Sequence, residues 1–279
     1  MNSAEPSRTA LMAAAARAAH PVVDRAPLIF TDDVAHRLLG DLADELVGYH
    51  RAHGDHPVLA GARAQAVVRS RYAEDRLAES GARQYVVLGA GLDTFACRRA
   101  SADPRVFEVD HPATQAWKRR RLAEAGIPTS ATHVPADLER DPLLDRLTAA
   151  GFDPAQPAFV SWLGVTTYLT RQAVDRTVAA LAGLAPGSEL VLDHVLPPHL
   201  RDEGGNGYAR AVAQAAADGG EPWLTCLDPA DLASLLAGHG FTATRHATLD
   251  EAVDPALWRR SDALRPDRLL ALAHSRLTR

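Results

Sequence analysis

The chain has 279 residues, 47% of them apolar and 23% charged, so a sizeable buried core is available and a disordered or fibrous chain is excluded. Its net charge of -5 is carried by scattered acids and bases without a basic stripe, which argues against a nucleic-acid partner. Cys97 and Cys226 are too few for a disulfide framework or a thiolate metal site, and no apolar run reaches the roughly 18 residues a spanning helix needs.

At the N-terminus, "MNSAEPSRTALMAAAARAAH" has the alanines of an export signal. Glu5 precedes its basic residues, however, and Arg17 interrupts it, so a soluble, cytoplasmic protein is expected. Residues 8–80 read as helices only, with alanine and arginine faces and few β-branched residues. Within them "YHRAHGDHP" sets His50, His53 and His56 three apart. Helical zinc pairs prefer i and i+4, and Gly54 breaks the helix, so a solvated helix end is expected there instead of a metal.

From Gln84 onward, short apolar runs alternate with longer amphipathic stretches, the pattern of a parallel sheet with crossover helices. Strands are read at residues 85–88, 106–109, around His133, and at 158–162, 190–193, 242–247 and 270–274. A helix is read over 171–184, with Thr170 as N-cap and Val174, Val178 and Leu181 on one face, before Pro186-Gly187 turns the chain. Another opens at Asp228 with Pro229 in its first helical position. Residues 197–221 carry Gly204, Gly205, Gly207, Gly219 and Gly220 around a short helix and no strand, which suggests an inserted substrate-covering lid. The expected organisation is one domain: a helical cap over about 1–80, a ligand-binding half over 81–196, the lid over 197–225 and a C-terminal half over 226–279.

The strand at 85–88 feeds Gly89-Ala90-Gly91, bare backbone at the carboxyl edge where open α/β sheets bind ligands. A dinucleotide fingerprint asks for a third small residue at its sixth position. Thr94 stands there, so a ligand without a pyrophosphate fits better. The second strand, "RVFEVDHP", ends in Asp110, with Glu108 on the same strand face. An acid at that point either accepts both hydroxyls of a ribose or caps the helix that opens at His111-Pro112. After the third strand, "VPADLERDP" places Asp137 and Leu138 where a carboxylate and the next N–H match an adenine edge.

Taken in order, "VVLGAGLDT", "VFEVDHP" and "ADL" resemble the S-adenosylmethionine-dependent methyltransferases of the leucine carboxyl methyltransferase type, especially their actinobacterial members. The resemblance runs from the "RSRYAEDRL" helix to about Leu169. It implies an α/β, Rossmann-like methyltransferase fold: a seven-stranded, mostly parallel sheet whose last strand is antiparallel, with helices on both faces. It also implies S-adenosyl-L-methionine as cofactor, with Gly89, Ala90 and Gly91 at its methionine part, Asp110 at the ribose and Asp137 with Leu138 at the adenine. Arg69, or failing it Arg71, is similar to the arginine that holds the cofactor's carboxylate, a role a guanidinium fork suits. One position departs: in "SWLGVTTYLT", Leu163 stands where the family has a glutamate directed at the cofactor's amino group.

Methyl transfer from a sulfonium is an in-line displacement that needs positioning and a dry site. A carboxylate acceptor needs no base, whereas a hydroxyl gains from one, which nominates Tyr168, Asp193 and His194 at the ends of strands four and five. His194 is the candidate base and Tyr168 a pocket-lining group, while Trp223 and Tyr208 could sandwich an acceptor. The expected activity is methylation of an oxygen, a carboxylate before a hydroxyl, on a small-molecule acceptor, releasing S-adenosylhomocysteine. No nucleic-acid or membrane partner is expected, and a homodimer is allowed. Two other readings stand beside it: a cofactor-binding regulatory protein without turnover, raised by Leu163, and a nicotinamide oxidoreductase, disfavoured by Thr94.

Overall fold

The computed structural model describes residues 7–99 and 103–278, so Glu5, used above against an export signal, lies outside the described residues. Four helices open the chain: α1 (Arg8–Val23), α2 (Asp33–Leu39), α3 (Leu42–Ala52) and α4 (Pro57–Ser80). Local chemistry fixes their ends. The side chains of Ser7 and Asp32 accept from the N–H groups of Ala10 and Ala35, Pro57 starts α4, and Gly81 stops it in the left-handed conformation. The alanine stripe Ala14, Ala15, Ala18 and Ala19 of α1 packs against Val34, Leu38 and Leu39 of α2 and Val47 of α3. Each fully buried leucine or valine there contributes about 1.5–3 kcal/mol.

His50 does not sit at a solvated end, contrary to the sequence expectation. It is buried in the cap with Nδ1 3.3 Å from Arg63 Nη1, whereas His53 and His56 are exposed. Burial and the Arg63 charge push its pKa down to about 4.

Seven strands follow: β1 (Gln84–Leu88), β2 (Arg105–Asp110), β3 (Thr132–Pro135), β4 (Phe159–Trp162), β5 (Glu189–Val195), β6 (Phe241–Ala247) and β7 (Leu270–Leu277). Their order is β3-β2-β1-β4-β5-β7-β6, with β1 to β5 parallel and the last strand inserted antiparallel between β5 and β6. The expected Rossmann-like sheet is therefore present. The chain leaves β1 to one side for β2 and returns to the other side as β4, so the crevice at their carboxyl ends is the switch point where such sheets hold ligands. Alternation divides the core. Val86, Leu88, Val160, Trp162, Leu190 and Leu192 share a face with α8 (Arg171–Leu181) and α10 (Pro229–Gly238), while Tyr85, Val87, Phe159 and Val191 face α4.

Three short crossovers, α5 (Phe95–Arg98), α6 (Pro112–Glu124) and α7 (Leu143–Ala149), complete the first half. Several strand limits shift by one or two residues, and two boundaries differ by three. Helix α8 ends at Leu181 instead of 184, just ahead of Gly183, and β7 runs past 274 because Leu277 still bonds Ser188 at 2.8 Å. The helix after β5 is not short: α9 (Glu203–Asp218) has 16 residues, and three of the glycines expected to surround a short helix lie inside its first turns. A Cβ on Gly205 would come within 2.6 Å of the Leu269 nitrogen, so that glycine serves a close approach between the helix and the backbone leading into β7. Among the described residues, no helix is long and apolar enough to cross a membrane.

Candidate functional site

The turn after β1 places Gly89 at φ +63° and Gly91 at φ +48°, a region L side chains rarely adopt. Space is as restrictive as angle. A Cβ on Gly89 would meet Val165 Cγ2 at 2.3 Å, and one on Gly91 would meet Ala10 Cβ of α1 at 3.0 Å. Between them, Ala90 is buried and donates its N–H to the Val109 carbonyl at 3.0 Å, tying the turn to β2.

Asp110, at the end of β2, accepts the Gly91 N–H on Oδ2 and the His111 N–H on Oδ1, the latter at 2.6 Å. It does not cap α6; the ring of His111 does, accepting from Ala113 N–H at 3.3 Å. Burial raises the Asp110 pKa and the two backbone N–H groups oppose that shift. Each carboxylate oxygen retains a second lone pair, enough for the two hydroxyls of a ribose. Glu108, two residues back, is spent elsewhere, in a buried pair with Lys118 at 2.6 Å. Burial would raise its pKa, but Lys118 and His133 together hold it below the usual carboxylate value.

Beyond β3, Asp137 Oδ1 accepts from the Glu139 N–H at 2.9 Å and the Asp137 N–H donates to Asp141 Oδ2 at 2.9 Å, which sets the loop, while the second carboxylate oxygen lies 3.9 Å from Nε of the exposed Arg140. Leu138 packs its side chain on the core, and among the described residues its N–H meets no acceptor. Carboxylate and N–H thus belong to adjacent residues of one loop, the two kinds of group an adenine edge can pair with.

The other half of the site lies at the ends of β4 and β5. Arg69 of α4 rests against Gly164, where a Cβ would come within 2.7 Å of its Nη1, and it pairs with Asp193 Oδ2 at 3.3 Å. Asp193 Oδ1 accepts the Gly164 N–H at 2.6 Å. Burial pushes the Asp193 pKa up, and Arg69 and the Gly164 N–H work against it. Arg71 instead pairs with Asp75 on the exposed side of α4, so Arg69 is the arginine at the site. Leu163 packs among apolar residues, and the carboxylate at the tip of β4 comes from Asp193 on the neighbouring strand.

Tyr168 lies beside Arg69, Thr9, Glu221 and Trp223, and burial raises its phenol pKa. Tyr208 of α9 is in the same corner, its phenol also pushed up by burial, and Trp223 packs with it and Val195. His194 is not there. Successive strand residues point to opposite faces, so Asp193 faces Arg69 while His194 turns to the far side. Its Nδ1–H donates to the Leu227 carbonyl at 2.9 Å, its ring meets His246 edge-on at 5.5 Å, and burial pushes its pKa down to about 4. The expected base is thereby removed from the site.

Sequence reading missed how the cap is docked. Arg17 of α1 pairs with Asp32 at 2.9 Å and donates to the Leu92 carbonyl at 2.6 Å, and Thr94 Oγ1 donates to the same Asp32 at 2.7 Å. Thr94, conspicuous as a departure from the dinucleotide fingerprint, therefore ties the glycine turn to the cap. The available signal was a basic residue breaking an alanine stretch.

An adenosyl amino acid fits these groups: a turn with two glycines, acids with spare lone pairs at the end of β2 and beyond β3, and a guanidinium at the ends of β4 and β5. A model of the family described as leucine carboxyl methyltransferase matches residues 10–182. YktD of Bacillus subtilis, by name an S-adenosyl-L-methionine-dependent methyltransferase, is 32% identical over 296 aligned residues, covering 95% of this chain and 95% of its own. A protein of Parafrankia sp. with the same description is 41% identical over 139 residues, 47% of this chain and 44% of its own. The crystal structure of a Thermobifida fusca protein, by description a methyltransferase, shares the fold with a TM-score of 0.62 at 22% identity, over 100% of this chain and 97% of that one. The chain belongs to the leucine carboxyl methyltransferase family, a family of S-adenosyl-L-methionine-dependent methyltransferases.

Proposed function

We propose that the protein transfers the methyl group of S-adenosyl-L-methionine to an oxygen of a small-molecule acceptor, a carboxylate in preference to a hydroxyl, and releases S-adenosylhomocysteine. S-adenosyl-L-methionine supplies an electrophilic methyl carbon on a sulfonium. The acceptor oxygen forms its bond to that carbon as the carbon–sulfur bond breaks, with the electron pair staying on sulfur.

The protein's own share is binding and positioning. Asp110, fixed by the Gly91 and His111 N–H groups, would take the ribose, and Asp137 with Leu138 the adenine. Gly89, Ala90 and Gly91 would let the methionine part lie against backbone, and Arg69 would hold its carboxylate. Tyr168 would line the acceptor side and order the acceptor through its hydroxyl.

The preference for a carboxylate rests on one observation: the strand-end groups facing the site include no free base. Asp193 is committed to Arg69 and the Gly164 N–H, and His194 is turned away. A hydroxyl acceptor must lose a proton during transfer, whereas a carboxylate has none to lose. The test is incubation with methyl-labelled S-adenosyl-L-methionine and a panel of small carboxylic acids and matched alcohols. Label recovered in base-labile methyl esters is expected, and label confined to base-stable ethers contradicts the preference.

A further inference from the structure

The corner beside Arg69 contains a hydrogen-bond donor whose bond is not completed among the described residues. Trp223 Nε1–H is buried, with the Tyr168 phenol beside it but no acceptor in full hydrogen-bonding geometry; an indole N–H can only donate, and a buried donor left unmade is costly. Its place is fixed from both sides. Before it, Glu221 Oε2 accepts the Thr9 N–H at 2.9 Å, and after it, Leu224 N–H donates to the Thr167 carbonyl at 2.7 Å. The indole packs against Tyr208 and Val195 and lies beside Tyr168. Thr167 Oγ1, on the turn that carries Tyr168, is likewise buried without a partner among the described residues.

The negative groups of this corner are already engaged: Asp193 by Arg69 and Gly164, Glu221 by Thr9, and Asp267, beside Tyr208, by Gln65 and the Leu269 N–H. What remains unmatched is chiefly donor capacity: the indole N–H, next to the Tyr168 phenol. Donors beside a guanidinium suit an anionic oxygen and offer little to a neutral amide nitrogen or an ammonium.

We infer that Trp223 is a positioning residue of the acceptor site, its Nε1–H acting with the Tyr168 hydroxyl to hold the non-attacking oxygen of the acceptor's carboxylate. This rests on the functional reading above. Holding one oxygen turns the other toward the methyl carbon, so the contribution is orientation and no proton changes hands.

The test uses the full chain loaded with S-adenosylhomocysteine and acetate as a minimal carboxylate probe. The chain has four tryptophans, so the indole N–H region of a nitrogen-15 correlation spectrum is sparse, and Trp223→Phe identifies the Trp223 signal by its loss. Acetate is expected to move that signal downfield in a saturable manner, acetamide to leave it in place, and Trp223→Phe to weaken acetate binding about tenfold with S-adenosylhomocysteine affinity unchanged. An unmoved signal, or equal shifts with acetate and acetamide, in protein that binds S-adenosylhomocysteine overturns this inference and leaves the functional reading intact. Absence of S-adenosylhomocysteine binding overturns both.

Discussion

The two edges of the site are built differently. Along β1, β2 and β3, each contact group sits within three residues of a strand end and is fixed by backbone: Gly89–Gly91 by the turn, Asp110 by two N–H groups, Asp137 by the Glu139 N–H. At the ends of β4 and β5 the groups come from distant segments: Thr9 of α1, Arg69 of α4, Asp193 of β5, Tyr208 of α9 and Trp223 beyond it. A ligand edge made of strand ends is a local property of the chain, whereas an acceptor corner assembled from cap, sheet and post-helix segment is a property of the packing.

The strongest way to break the first edge is Gly89→Val. A side chain there must adopt a left-handed backbone and displace Val165, so stability is expected to fall by about 3–5 kcal/mol in urea denaturation, with loss of S-adenosylhomocysteine binding. Asp110→Ala is expected to keep the fold and weaken S-adenosylhomocysteine about a hundredfold by calorimetry, because the proposed ribose site loses its charged acceptor.

The contrast between Asp193 and His194 is sharpened by pH. The folded state holds His194 neutral down to about pH 4 while the unfolded chain protonates near 6.5, so its contribution to stability is complete above 6.5 and is lost as pH falls from 6.5 to about 4. At pH 5 that loss amounts to roughly 2 kcal/mol relative to pH 7. His194→Gln should reduce the slope of this part of the stability profile, with the slopes from His50 and His246 remaining, and should leave S-adenosylhomocysteine affinity within about twofold. The smallest effect is expected from Asp137→Ala, about a fivefold loss of S-adenosylhomocysteine affinity, because that carboxylate is 36% exposed.

The sheet was legible because its strands are short buried runs between turn residues, and because β1 ends in a glycine turn that few other arrangements would tolerate. Asp110 and Asp137 were legible for the same local reason. His194 was misplaced because a strand's end can be read from sequence more easily than which of two adjacent residues faces the ligand. The glycines of α9 suggested a mobile cover, yet Gly205 is a contact glycine, a property of Leu269 across the chain as much as of its own segment. Arg17 looked like a break in an apolar stretch, and only docking against Asp32 and Leu92 gives it a purpose.

The central claim is that the glycine turn and Asp110 form an adenosyl site, and calorimetric titration of S-adenosylhomocysteine into the wild-type chain and Asp110→Ala tests it most directly. One molecule per chain with micromolar affinity, weakened about a hundredfold by the substitution, is the predicted result. No binding at millimolar ligand, or equal affinity in the two proteins, would contradict it.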